Sequence, residues 1–174
     1  MKGWVVLIMM EGIVEVSTEL QVNDVVKLAD EIWHEHYSTI ISDAQICYML
    51  EQFQSVSAIQ TQIEKGYRYF LIYDEELPAG YCSIRYDRKD GRLFLSKIYV
   101  RKESRRKGLG NRLFSLVMEL AKEAGLCKVW LTVNRNNSDS VQIYKRKGFL
   151  IDHEEDNEIG EGFIMSDYIM ECPL

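Results

Sequence analysis

Residues 100–110 read Val-Arg-Lys-Glu-Ser-Arg-Arg-Lys-Gly-Leu-Gly and connect a predicted strand to a predicted helix. Their two glycines, Gly108 and Gly110, allow a ligand to approach the backbone closely. The helix that follows would direct its unbonded N–H groups, and the positive end of its dipole, toward the same loop. Six basic side chains and one acidic one lie between residues 101 and 112, in a protein of net charge −6. The stretch therefore predicts a site for phosphate groups.

Two common phosphate-binding motifs do not fit this loop. A Walker loop needs Lys-Ser or Lys-Thr after its glycines, and neither pair follows here. A dinucleotide fingerprint needs a third glycine three residues after Gly110, where the chain has Leu113. The alternative to a phosphate site is a solvated, basic helix start. Motifs elsewhere in the chain are needed to distinguish these two interpretations.

The hydrophobic pattern predicts one α+β (mixed α/β) domain over residues 1–174, with a twisted, mostly antiparallel sheet of six to seven strands flanked by helices. Helical periodicity covers 22–37, with Asn23 or Asp24 near its start, and also 42–53, 57–65, 109–124 and 139–147. Strands are predicted at 13–16, 67–73, 79–86, 93–100, 129–133, 149–151 and 162–170. The short turns between the second, third and fourth strands predict an antiparallel meander, and the compact apolar run 129–133 predicts a buried strand.

Composition excludes several classes of protein. A pI near 5.2 and net charge −6 argue against a nucleic-acid binder. The four cysteines form no CxxC pair, so no metal site is predicted and the thiols are expected to be reduced in a cytoplasmic protein. The apolar run 4–10 is too short to span a membrane, and we interpret residues 1–12 as an N-terminal extension or extra strand.

The motifs together resemble the GNAT superfamily of N-acetyltransferases. Arg105-x-x-Gly108-x-Gly110 is similar to the family's R/Q-x-x-G-x-G/A signature. Downstream, Asn137, Ser140, Tyr144 and Gly148-Phe149 resemble the pattern N-x-x-A-x-x-x-Y-x-x-x-G-F, with Ser140 in place of alanine. The resemblance spans roughly residues 93–150 and implies a GNAT-like fold with a splayed pair of cofactor-binding strands.

The same resemblance implies a set of cofactor and catalytic residues. Acetyl-CoA would place its pyrophosphate on the backbone of residues 105–110 (Arg105, Arg106, Lys107, Gly108, Leu109 and Gly110). Its pantetheine would pair with Ile98, Tyr99 and Val100, and would be held by Asn137 and Ser140. Tyr144 would be the general acid that reprotonates the CoA thiolate. A phenol can donate to a sulfur anion, and residues 137, 140, 141 and 144 share one helix face.

The general base stays open at this stage. Many family members carry a carboxylate on the strand before the cofactor loop, but residues 93–100 contain no acid. A water chain, Glu31 or Glu35 could serve, and so could His34 or His36. These two histidines point about 200° apart on a helix, so they cannot share a metal.

The acidic stretch 152–161 contains six acids and no Lys or Arg, and we expect it to connect the last two strands. It could border the acceptor and attract a polycation, although a solvated loop is the alternative. The early helices and residues 162–170 loosely resemble the bacterial spermidine/spermine acetyltransferase subgroup. This resemblance implies Trp33, Tyr37 and Asp167 as acceptor-binding residues.

The expected acceptor is a small-molecule amine, with a polyamine as one candidate; neither nucleic acid nor membrane is expected as a partner, and a homodimer is left open. The alternatives are acetylation of a protein N-terminus or lysine, which needs an open peptide groove, and a catalytically silent CoA-binding module.

Overall fold

Strand-forming segments from both halves of the chain build one seven-stranded sheet in the computed structural model, which describes residues 12–174. The strands are β1 (Ile13–Glu15), β2 (Tyr67–Asp74), β3 (Leu77–Asp87), β4 (Arg92–Val100), β5 (Lys128–Asn134), β6 (Leu150–Gly160) and β7 (Phe163–Pro173). Their order across the sheet is β1-β2-β3-β4-β5-β7-β6. All neighbours are antiparallel except β4 and β5. The predicted α+β class and the meander are confirmed.

Within residues 12–174, five α-helices cover the two faces of this sheet: α1 (Glu19–Tyr37), α2 (Asp43–Gln54), α3 (Val56–Glu64), α4 (Leu109–Glu123) and α5 (Ser138–Arg146). Helices α4 and α5 pack on one face, where Leu113, Val117 and Phe149 are fully buried. Helices α1 to α3 pack on the other face, against Tyr69 and Tyr81. The two cores together hold the sheet between helical layers.

The start of α1 differs from the prediction, which placed Asn23 or Asp24 near it. The N-cap is Thr18, whose hydroxyl accepts a hydrogen bond from the backbone N–H of Gln21, while the Gln21 side chain accepts one from the N–H of Thr18. This capping box begins the helix one turn earlier. The prediction followed the stripe of apolar positions and missed this first turn, because its apolar residue, Leu20, is exposed and lies outside the stripe.

The acidic stretch is a strand and not the predicted connection. Residues 150–160 form β6, which pairs with β7 along its length, whereas the sequence predicts a strand only at 149–151. Both faces of β6 are largely exposed, so it lacks the alternation that marks a half-buried strand. Its backbone ladder with β7 holds it in the sheet.

The parallel pair β4–β5 separates soon after it begins. Its pairing covers Arg92–Lys128, Leu93–Val129 and Phe94–Trp130, where the last two rings stack at 4.2 Å between centroids. Two residues further, Ser96 forms a bulge in β4, because Leu95 and Lys97 pair with consecutive residues of β3. A bulge bends and twists its strand, so β4 turns away from β5. The predicted splayed strand pair is confirmed.

Three further findings concern expected absences and the chain start. No helix within residues 12–174 is both long and apolar enough to cross a membrane. The same residues contain no cluster of three or more His, Cys, Asp or Glu that could hold a metal ion. The apolar run 4–10, interpreted as an extension or extra strand, lies outside the described residues.

Candidate active site

The space between the separated strands is a cleft of about 1440 Å³. One wall is the end of β4, and the opposite wall combines the end of β5 with the start of α5. Helices α1 to α3 cover it, and β7 contributes Met165 and Asp167. The cleft therefore lies where the sheet opens, between elements from both halves of the chain.

A smaller cavity of about 300 Å³ adjoins the cleft at the N-terminus of α4. Residues 106 and 108–110 line it, together with Asn111, Phe114 and Lys147. The residues that line both spaces mark their junction: Ile98, Tyr99, Val100, Arg105, Ser140, Ile143 and Tyr144. Nearly all of the predicted cofactor residues therefore lie around the smaller cavity and its opening into the cleft.

The loop before α4 is shaped for an anion. Arg106 and Gly108 both adopt left-handed backbone conformations, with φ of 65° and 80°. Gly108 is the N-cap of α4, and no side chain of the described residues caps the helix there. The first N–H groups of α4 therefore lack intrahelical acceptors next to the smaller cavity. A phosphate group fits this donor set.

Acids from other elements pair with the basic loop, which the sequence analysis did not foresee. Arg101 pairs with Glu31 at 3.0 Å, and Arg105 pairs with Glu35 at 2.6 Å. Lys107 lines neither cavity and instead pairs with Asp74 on β2. The hydrogen bond from Arg105 lowers the pKa of Glu35. Glu31 and Glu35 thus lie on the loop side of α1 and do not line the cleft, which argues against both as the general base.

Lys147 and Asn111 are candidate cofactor residues that the sequence analysis missed. The Lys147 ammonium donates to Asn111 Oδ1 at 2.8 Å and lies 4.4 Å from the centre of the Phe114 ring. Burial lowers its pKa. Lys147 sits one helical turn after Tyr144, and this spacing is the sequence signal that could have identified it.

Tyr144 lies at the junction of the two spaces. Its ring packs edge-on against Phe149 at 5.6 Å, within the core that α5 shares with the sheet. Burial raises the pKa of Tyr144 well above its usual value. The phenol therefore keeps its proton at neutral pH and can serve as a proton donor.

Three aromatic side chains form part of the cleft wall beside this junction. Trp33 and Tyr37, from α1, pack on each other and on Tyr99 of β4, and the hydroxyls of Tyr37 and Tyr99 lie 3.2 Å apart. Two predicted acceptor residues and one predicted cofactor residue are thus brought into a single cluster in the cleft.

Asn137 fixes the proton position on His36. The Asn137 side-chain oxygen accepts from the N–H of Ser140 and caps α5, so its amide nitrogen must donate to His36 Nε2, 3.0 Å away. His36 therefore carries its proton on Nδ1. Burial, followed by the charge of Arg105, lowers the pKa of His36. Asn137 lines the cleft, but its amide is engaged in these two bonds, and its contact with a cofactor stays a prediction.

Asp167 brings a buried carboxylate into the cleft. It lies on β7 opposite Asn134 of β5 and is 3% exposed. Burial raises its pKa to about 6; Glu155 and Asp156 on β6 act in the same direction, and Arg135 opposes them. Asp167 was predicted from the sequence, but the burial of its side chain depends on the pairing of β7 with β5 and with β6.

Lys97 is a cleft residue that the sequence analysis did not single out. Its ammonium donates to Gln62 Oε1 at 2.8 Å and to Ser96 Oγ at 3.2 Å, and it faces the rings of Tyr67 and Tyr69. It is 9% exposed, and burial lowers its pKa to about 7. A lysine in a strand that faces aromatic residues gives no distinctive sequence signal.

The β6–β7 hairpin closes one side of the cleft. Tyr48 of α2 donates its hydroxyl hydrogen to the carbonyl of Ile159 at 2.6 Å, and Gln45 donates to the carbonyl of Ile164 at 3.1 Å. Gly160 has φ of 112°, and a side chain there would collide with Tyr48. These two hydrogen bonds therefore attach the tip of the hairpin to α2. Gln45, which makes one of them, also lines the cleft.

Comparison with known proteins identifies one protein family. The model of the Acetyltransferase (GNAT) family matches residues 25–149, which is most of the chain. The PaiA N-acetyltransferase of Thermoplasma acidophilum, solved in complex with coenzyme A, superposes with a TM-score of 0.75. The superposition covers 93% of this chain and 99% of that one at 20% identity, so it shows a shared fold.

Two relatives match shorter segments. The spermine/spermidine N(1)-acetyltransferase of Bacillus subtilis is 30% identical over 71 residues, which is 40% of this chain and 47% of the relative. The streptothricin acetyltransferase of Streptomyces lavendulae is 32% identical over 71 residues, covering 41% of this chain and 38% of the relative. The chain thus matches less than half the length of each relative.

The smaller cavity generates the first prediction. The Gly110→Asp variant should bind CoA at least about 100-fold more weakly, because it puts a negative charge beside the helix N-terminus that would receive the phosphates. Isothermal titration calorimetry with CoA measures this change. Gly125→Asp, just beyond the opposite end of α4, is the matched control and should bind CoA normally. Equal affinities for Gly110→Asp and the unmodified protein would contradict the assignment.

Proposed function

The chain belongs to the acetyltransferase (GNAT) family, and we propose that it transfers the acetyl group of acetyl-CoA to a small primary amine. The observation that carries this proposal is the position of Tyr144, where the smaller cavity at the N-terminus of α4 opens into the cleft. A donor that binds across this junction and an acceptor in the cleft would meet beside a protonated phenol. The cytoplasmic location and the homodimer stay predictions.

The residues around the smaller cavity fit CoA. In the proposal, the N–H groups at the start of α4 and the side chain of Arg105 receive the pyrophosphate, and Ile98 to Val100 offer the separated edge of β4 to the pantetheine arm. Bound acetyl-CoA supplies the reaction with a thioester as the acyl donor. Ser140 lines both the smaller cavity and the cleft, where the pantetheine arm would pass from one to the other.

Asp167 is our candidate for binding the acceptor and accepting its proton. An alkylammonium group has a pKa of about 10 and must lose a proton before it can attack a carbonyl carbon. Asp167 is buried in the cleft, and its raised pKa makes its carboxylate a stronger base than an ordinary aspartate. Glu35, with its lowered pKa, is a weaker base and pairs with Arg105.

Tyr144 completes the proposed proton transfers. The thiolate sulfur that leaves on acyl transfer needs a proton, and the Tyr144 hydroxyl holds one at neutral pH. The Trp33–Tyr37–Tyr99 cluster gives the cleft an aromatic wall beside it.

A small acceptor is favoured over a protein segment because the cleft is covered. The hydrogen bonds of Tyr48 and Gln45 attach the β6–β7 hairpin to α2, where a peptide groove would need an opening. A polyamine is one candidate, supported by the buried Asp167 and by the spermine/spermidine relative. The β6 acids support it less, since Glu154 and Asp156 are exposed and paired with Arg135.

The function is tested by CoA release from acetyl-CoA across a panel of acceptors. The panel contains alkylamines, diamines, spermidine, spermine, free amino acids, streptothricin and peptides with free N-termini. We expect turnover of small amines and none above background for peptides. Preferred turnover of peptides would support the protein-acetylating alternative. Tight binding of acetyl-CoA without any turnover would support the silent CoA-binding module.

Replacement of the proposed general acid gives a second prediction. The Tyr144→Phe variant should lower kcat by about 100-fold, which is typical for the loss of a general acid, while the affinity for CoA changes little. Steady-state kinetics and calorimetry measure the two effects. Tyr86→Phe removes a hydroxyl outside both cavities and should behave like the unmodified protein. Full activity of Tyr144→Phe would show that the thiolate is protonated by another group.

The pKa of Asp167 gives a third prediction. Because this carboxyl group is half ionised near pH 6, kcat/KM should rise with pH through about pH 6 as the carboxylate that binds the amine forms. In the Asp167→Asn variant, kcat/KM should fall by about 100-fold and should no longer rise with pH through about pH 6. Asp152→Asn, on exposed β6, should retain both. An unchanged acidic limb in Asp167→Asn would contradict the role of Asp167.

A further inference from the structure

The charge distribution inside the cleft carries information about the acceptor. Asp167 lies on the β5–β7 wall, and Lys97 lies on the β4 wall, three residues beyond the last β4–β5 pair. Tyr69 and Tyr99, which share the sheet face of Lys97, pack with α1 to α3, and Met165, two residues before Asp167, packs in the same core. The two charged side chains therefore line the same cleft from opposite walls.

Lys97 lacks a counter-charge among the described residues. Its contacts there are the neutral oxygens of Gln62 and Ser96 and the two tyrosine rings, and no carboxylate of residues 12–174 pairs with it. Burial is the single cause of its lowered pKa. An ammonium group has three donors, so one remains for a ligand. A buried ammonium with a vacant donor and no anion is costly unless a ligand supplies one.

The other groups at this end of the cleft do not neutralise Lys97. Arg85 also lines the cleft but donates to Asp87 at 2.8 Å and to the Tyr67 hydroxyl. Lys65 adds a further positive charge to the lining, and Glu51 adds a negative one. The wall that Lys97 belongs to is otherwise built from neutral side chains of α3, β2 and β4. A second ammonium group of a polyamine would meet a positive charge there.

We propose that the acceptor is an amine that also carries a carboxylate, and that Lys97 binds this carboxylate while Asp167 holds the amine. The proposal rests on the proposed acetyltransferase function and names the substrate class of its site. Lys97 is then a specificity-determining residue. A charge-assisted hydrogen bond in a buried site is stronger and shorter than a neutral one, which gives this contact its selectivity.

The test compares acceptors that differ only in the group far from the amine. The ω-amino acids from glycine to ε-aminocaproate are paired with the n-alkylamine and the α,ω-diamine of equal chain length. At the best length, the unmodified protein should show kcat/KM at least about 10-fold higher for the amino acid than for either partner. In Lys97→Met this ratio should fall to about 1, and in Lys97→Glu the diamine should become the best of the three. Lys122→Met, on the exposed side of α4, is the control and should keep the ratio of the unmodified protein.

Binding of the acetylated products provides a readout that needs no turnover. With CoA-saturated protein, the N-acetyl ω-amino acid should bind at least about 10-fold more tightly than the N-alkylacetamide of equal length, and Lys97→Met should abolish this difference. Circular dichroism and the melting temperature verify that Lys97→Met is folded; methionine at this buried site removes an unneutralised charge.

The outcomes separate the two proposals. Turnover of alkylamines or diamines without a carboxylate advantage, or an advantage that survives in Lys97→Met, would overturn the role of Lys97 and leave the acetyltransferase intact. Absence of turnover for every acceptor would overturn the proposed function. In that case a Lys97-dependent preference for the carboxylate product would still support the binding site, and equal binding of both products would overturn it.

Discussion

Parallel pairing between β4 and β5 ends at Phe94 and Trp130, and the backbone groups beyond that point need other partners. The stacked rings close the paired end, and the bulge at Ser96 bends β4 away from β5. Both the cleft and its junction with the smaller cavity follow from this opening. The loop before α4 begins where the separated part of β4 ends, so the smaller cavity and the separated strand edge become continuous.

The same opening explains why charged side chains can be buried here. Asp167 and Lys97 line a cleft and not a close-packed core, and their pKa values move in opposite directions for the same reason, since burial disfavours the charged form of each. The two groups do not pair with each other among the described contacts. Strongly shifted pKa values of residues in a cleft are typical of functional sites.

Local signals carried most of what the sequence could predict. Gly108, Gly110 and Tyr144 are predicted as site residues from spacing within one loop and one helix, so these predictions need no contact between distant segments. The sequence predicted only the start of β6, at 149–151, because neither face of the strand is buried and acids are unfavourable in isolated strands. Its place depends on the ladder with β7, a contact between segments. The charge on β6 also discourages pairing of this edge strand with another chain.

Lys97 and the acids on α1 show a second limit of sequence reasoning. Lys97 looks like an ordinary surface residue of a strand until α3 and the two tyrosines of β2 enclose it. The basic loop looks strongly positive until α1 is placed beside it. Glu35 and Glu31 are one helical turn apart, so they share one side of α1 and reach the loop together. These contacts join residues about 70 positions apart in the chain, and no local pattern encodes them.

Helix α1 consequently belongs to both parts of the candidate site. One side of it carries Glu31 and Glu35, which hold Arg101 and Arg105, and another side carries Trp33 and Tyr37, which form part of the cleft wall. An arginine that binds a phosphate group must share its donors with, or withdraw them from, the carboxylate that holds it. The Arg105–Glu35 pair therefore links the smaller cavity to the helix that forms part of the cleft wall.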